Sequence, residues 1–136
     1  MSGIVGGAGS KSGIIGETEP RFEKGVLTIA KNSGSASLDS SSGGCYQLLG
    51  GFCTVNIRVM FDGAGDMIYS GLPFTAARRV GTACRENQNV GDVALAYVDS
   101  GSSLFRVQTT GASNSHGDND TFEFSLTYPI TGTDID

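Results

Sequence analysis

The chain has 136 residues, and its nine Lys and Arg stand against fourteen Asp and Glu for a formal charge of -5. That length holds one domain, and that charge is a poor match for nucleic-acid phosphates, so nucleic acid is not expected as a partner. With 21 glycines, no Trp and only 17% charged residues, helix bundles and coiled coils are excluded, because glycine costs about 1 kcal/mol per helix position relative to alanine.

Residues 1–16, MSGIVGGAGSKSGIIG, carry six glycines, with apolar pairs at Ile4-Val5 and Ile14-Ile15. A segment of this kind cannot build its own core, but its spaced apolar residues gain a place to be buried if a partner supplies a groove. It predicts a flexible attachment arm over residues 1–20, closed by Glu17-Thr18-Glu19-Pro20, ahead of a domain over 21–136. The start lacks a basic region, and no apolar stretch is long enough to cross a bilayer, so a soluble chain without a membrane partner is expected.

From Phe22 onward the pattern is one short strand after another. Residues 25–31, GVLTIAK, are apolar and β-branched, whereas 33–44, SGSASLDSSSGG, read as a Ser and Gly loop. The clearest alternation lies in 52–61, where Cys53, Val55, Ile57, Val59 and Phe61 share one face and Thr54, Asn56 and Arg58 the other. Asp62 to Asp66 form a turn, 67–70 a short strand, and Pro73 ends or edges it. Further strands are predicted at 79–85, 92–98, 103–109 and 121–130. In 92–98 both faces are apolar, Val93, Leu95 and Tyr97 against Ala94, Ala96 and Val98, which fits a sandwich interior or a subunit contact. Short strands joined by Gly, Ser and Asp turns predict an all-β fold, an antiparallel β-sandwich or jelly roll with an extended Gly-rich N-terminal arm.

Most candidate chemistry lacks partners at workable spacing. Gly7 to Ser12 ends in Lys-Ser, but a phosphate-binding loop needs glycine where Ser10 and Val5 stand. The single histidine, His116, lies in a polar loop and reads as solvated; as an acid/base dyad it would need Asp118 or Asp120. Asp118 and Asp120 are the candidate metal ligands, for Ca²⁺ at a subunit junction, although one short acidic loop falls below the six to eight oxygens calcium takes. Asp62, Asp66, Asp92 and Asp99 sit at turns, where Asp hydrogen-bonds its own backbone. Arg78-Arg79 is a basic cluster that either meets carboxylates of an adjacent subunit or stands as a solvated edge charge. Three cysteines cannot all pair within one chain; Cys45 and Cys53 either bridge a hairpin or remain free thiols. No catalytic residues and no cofactor are expected.

The opening MSGIVGGAGSKSGIIGETE followed by FEKGVLTI resembles the N-terminal signature of small virion proteins from tailed bacteriophages. VNIRVMFDGAGDMIYSGLPFTA is similar to a strand-turn-strand-Gly-Leu-Pro-Phe element of phage β-sandwich modules in fibres and capsid-associated proteins. The resemblance implies a non-enzymatic virion structural protein, assembled in the bacterial host cytoplasm as a homotrimer. As a capsid cement or decoration protein it would have the major capsid protein as partner, gripped through Ile4, Val5, Ile14 and Ile15. Val93, Leu95, Tyr97, Arg78 and Arg79 are the candidate subunit interface. Two alternatives stand beside it: a tail-fibre head meeting host glycans, and a soluble carbohydrate-binding module using Tyr46, Tyr69 or Tyr97 as a stacking platform.

Overall fold

The computed structural model describes residues 21–87, 94–109 and 115–132. The expected arm, with Ile4, Val5, Ile14 and Ile15, and the interface candidate Val93 lie outside the described residues. The strands, in chain order, are β1 (Phe22–Leu27), β2 (Ala30–Ser33), β3 (Ser37–Leu38), β4 (Gly43–Leu49), β5 (Phe52–Asp62), β6 (Gly65–Asp66), β7 (Ile68–Ser70), β8 (Val80–Glu86), β9 (Ala94–Val98), β10 (Phe105–Thr109), β11 (Ser115–His116) and β12 (Thr121–Pro129). The fold is all-β and antiparallel, a β-sandwich of the jelly-roll type.

Ten strands form one curled sheet in the order β1-β4-β5-β12-β8-β9-β10-β7-β2, with β3 added beside β5; β6 and β11 make a separate pair. The curl comes at β12 and β8, which pair only through Phe122–Glu86 and Glu123–Arg85. One layer is therefore β1, β4, β5 and β12, and the other runs from β8 to β2. The chain crosses between them at Thr28–Ile29, so the single strand expected over 25–31 is two strands, one in each layer.

The core follows from period-two alternation. Cys53, Val55, Ile57, Val59 and Phe61 of β5 point inward and are all buried, as are Phe122, Phe124, Leu126 and Tyr128 of β12. Ala94, Ala96 and Val98 of β9 and Phe105 and Val107 of β10 close the core from the second layer. Each fully buried large apolar side chain contributes about 1.5–3 kcal/mol. Aromatic rings join the layers, Phe61 meeting Tyr69 edge-on at 6.2 Å and Phe105 meeting Phe124 at 5.8 Å, while Tyr69 stacks on Phe105 at 4.7 Å within the second layer.

The segment expected as loop to residue 44 instead opens β4, which runs beside β5 and turns into it at Gly50-Gly51. Gly50, at φ 60°, takes the left-handed conformation that a two-residue hairpin needs. Gly44 has a packing role: a Cβ there would fall on the Asn56 carbonyl. The expected 33–44 loop also contains β3, and the polar loop around His116 contains β11, paired with β6.

Candidate interaction surface

The apolar side chains left outside the sandwich gather chiefly at one end. Phe22 pairs with Leu49, Leu49 with Phe52, and Phe52 with Pro129, across β1, β4, β5 and β12. Directly opposed residues share a sheet face, so these four side chains form one outward row about 14 Å long at ordinary strand spacing. Phe22, Leu49 and Phe52 are 58%, 57% and 58% exposed. Val26, further along β1, is also exposed.

Backbone hydrogen bonds bring two further segments to this end. Gly50 N–H donates to the Arg21 carbonyl at 2.7 Å, Ile130 N–H to the Gly51 carbonyl at 2.9 Å, and Ala77 N–H to the Pro129 carbonyl at 2.7 Å. The backbones of Arg21 and Ala77 are thereby fixed at this end, while the Arg21 side chain turns to the face opposite Phe22. The Arg21 guanidinium lies 5.3 Å from the centre of the Phe74 ring and pairs with Glu23 at 2.7 Å. Glu23 also accepts from the Tyr46 hydroxyl at 2.7 Å. That hydroxyl first, and Arg21 second, hold the Glu23 carboxyl below the usual carboxylate range, and the same bond pushes the Tyr46 phenol up.

The sequence candidates divide. Arg79 pairs with Asp99 at 3.1 Å and stands 4.8 Å over the Tyr97 ring. Tyr97 is 4% exposed, so its ring meets its own chain and offers little area to a partner. Leu95 lies on the outer face of β9 between Ala83 and Gln108 and is 45% exposed. Arg78 is exposed. The stacking platform is corrected: Tyr69 is fully buried and Tyr97 nearly so, leaving Tyr46 half-buried and bonded to Glu23.

Asp118 and Asp120 take structural roles. Asp118 Oδ1 accepts from Gly63 N–H at 2.7 Å, and Asp120 Oδ2 from Gly117 N–H at 2.6 Å. Each carboxylate thus ties a turn, and among the described residues no three His, Cys, Asp or Glu side chains gather as a metal cluster. Cys45 and Cys53 stand on opposite faces of the β4–β5 hairpin, the first exposed and the second buried, so they cannot bridge it. Burial pushes the Cys53 thiol up and that of Cys84 to about 12.

A groove of about 510 Å³ beside the β1–β2 crossing is lined by Leu27, Ile29, Leu38, Lys31, Asp39 and neighbouring hydroxyl residues, with no aromatic ring. Hydrogen bonds from Ser41 hold the Asp39 carboxyl below its ordinary value.

Phe22, Leu49 and Phe52 are the surface residues that the strand pattern alone does not single out. A signal is present: Phe52 falls on the face of β5 that carries Thr54, Asn56, Arg58 and Asp62, with Met60 the other apolar residue there.

No protein-family model and no curated protein matches the chain. Among solved structures it is similar to a phage tailspike, the Dettilon tailspike protein (gp208), with a TM-score of 0.62 and 17% identity over 81% of this chain. The match covers 24% of that chain, so this chain spans about a quarter of the tailspike. At that identity the likeness is one of fold.

Proposed function

We propose that this chain is a non-enzymatic structural component of a bacteriophage virion, a β-sandwich module that works by docking on neighbouring proteins. The observation that carries this reading is the likeness to a tailspike over 81% of the chain. The exposed row Phe22–Leu49–Phe52 supports it, because contiguous apolar surface rimmed by polar groups marks protein contacts. In its finer form the protein is a capsid cement or decoration protein, a homotrimer bound to the major capsid protein through residues 1–20. The Gly-rich composition of those residues, with their Ile and Val pairs, supports this form. The second reading is a tail module meeting host glycans, supported by the same tailspike likeness.

Copy number on purified particles separates them. Quantitative mass spectrometry that finds hundreds of chains per virion supports cement, and a small multiple of three supports the tail module. Absence of the chain from particles of the phage that encodes it refutes both.

A further inference from the structure

β1 lies at one end of the sheet and, among the described residues, pairs on one side only, with β4. Its other edge therefore presents backbone N–H and C=O groups to whatever lies beside it. The outward side chains of β1 are Phe22, Lys24 and Val26, of which Phe22 is 58% and Val26 85% exposed. Sheets ordinarily cover such an edge or break it up with charge, and Lys24 is the single charge on that face of the strand.

Twenty residues precede Arg21, and they enter the sandwich at this edge. The Arg21 carbonyl is fixed by Gly50 N–H at 2.7 Å, and Phe22 follows as the first residue of β1. Glu17-Thr18-Glu19-Pro20 has the polarity and the proline of a connecting loop, and Pro20 has no N–H to offer a ladder. Four residues are an ordinary hairpin loop. Such a loop sets Gly16 opposite Arg21, Ile15 opposite Phe22, Ile14 opposite Glu23, Gly13 opposite Lys24 and Lys11 opposite Val26. The stretch from Lys11 to Gly16 spans about 20 Å at strand rise, which matches the length of β1.

We propose that residues 10–16 return along β1 as an added antiparallel strand of the same chain and close the open edge of the sheet. A segment tethered to that edge by four residues meets it at an effective concentration on the order of millimolar, ahead of a second copy or a foreign strand. Adjacent side chains of a strand point to opposite faces, so Ile14 and Ile15 straddle the edge. Ile15 lengthens the outward row Phe22–Leu49–Phe52–Pro129 by one residue. Ile14 falls on the side of Glu23, whose partners Tyr46 and Arg21 both lie against the half-buried Phe74 ring, at 5.9 Å and 5.3 Å. Gly13 has no side chain to meet that of Lys24, so the charge that guards the edge stays in solvent. Ile4 and Val5 lie beyond the added strand. The inference concerns the isolated chain and does not rest on the virion reading.

NMR of the uniformly labelled full chain tests this. Cross-strand NOEs linking Ile15 to Phe22 and Lys11 to Val26 are expected, with slowed hydrogen exchange at the β1 amides that β4 does not bind. Ile15→Asp places a charge in the apolar row and is expected to speed that exchange about tenfold or more. Ile4→Asp, beyond the strand, should leave it unchanged. Random-coil shifts over residues 10–16 of the wild-type chain overturn the proposal, as do NOEs that appear only between differently labelled copies in a mixed sample. So does β1 exchange that Ile15→Asp leaves at the wild-type rate.

Discussion

Tyr69→Phe is expected to stabilise the protein, although it removes a polar group from the centre of the fold. The Tyr69 ring is fully buried, stacked 4.7 Å from Phe105 at an interplanar angle of 11°, with Phe61 edge-on at 6.2 Å. Among the described residues its hydroxyl meets no hydrogen-bond partner. An unpaired buried hydroxyl costs about 1–3 kcal/mol relative to the unfolded chain, where water bonds it. Phe keeps both ring contacts and loses the dispersion of one oxygen, about 0.5 kcal/mol for a few atom pairs. The net gain is about 0.5–2.5 kcal/mol, which at ~4 °C per kcal/mol for a domain of this size raises Tm by about 2–10 °C. Urea unfolding at unchanged m-value, beside a thermal melt, measures both. Burial also pushes the Tyr69 phenol well above its ordinary value. The wild type therefore loses stability as pH rises past the unfolded phenol's value near ~10, and the gap to the Phe variant widens there by up to about 1.4 kcal/mol per pH unit. A Phe variant less stable than wild type by about 1 kcal/mol, a whole hydrogen bond, would refute the reasoning, since it would mean that the hydroxyl is satisfied.

Native alkylation followed by mass spectrometry is expected to label Cys45 quickly and Cys53 and Cys84 only on unfolding, since the first is exposed and the others buried. Because burial raises the Cys84 thiol to about 12, its contribution to stability is present below about pH 8.5, the ordinary thiol value, and is lost as pH rises above it. Cys84→Ala should flatten that alkaline slope in a urea titration repeated from neutral to alkaline pH; an unaltered slope would assign it to other groups. Gly43→Ala and Gly44→Ala are expected to differ in sign. At Gly43 the nearest atom to a new Cβ is the Leu27 carbonyl oxygen at 3.8 Å, whereas at Gly44 the Asn56 carbonyl occupies the site. The first should gain about 0.5 kcal/mol and the second lose about 1–3 kcal/mol; equal midpoints in urea would contradict the close approach. Arg79→Ala removes the Asp99 pair and the contact over Tyr97, but the arginine side chain is 66% exposed. Solvent screening therefore limits the loss to under about 1 kcal/mol, and a loss above about 2 kcal/mol would show that Arg79 carries more of the fold than these contacts explain.

The cores of β5 and β12 are readable from the chain because strand alternation is local: side chains two residues apart share a face whatever lies opposite. In β9 both faces are apolar, so alternation does not say which one turns inward, and the turn expected over Asp62 to Asp66 shrinks to Gly63–Ala64 between two strands. The rule fails at Gly43–Leu49, where glycine is chosen for the approach of a carbonyl from a neighbouring strand and is indistinguishable in sequence from turn punctuation. It also fails at Thr28–Ile29, where an unbroken apolar run crosses between layers.

The sequence by itself determined an all-β sandwich, the exclusion of helices by 21 glycines, and the inward residues of its best strands. All of these follow from backbone preference and the period of two, which neighbouring residues carry. Only the tertiary structure decided that Phe22, Leu49, Phe52 and Pro129 form one row and that Asp118 and Asp120 tie turns. It likewise decided that Tyr97 lies beneath Arg79 and that Cys45 and Cys53 face apart. Those arrangements depend on strand register between segments distant in the chain, and register is set by the packing of the whole sandwich.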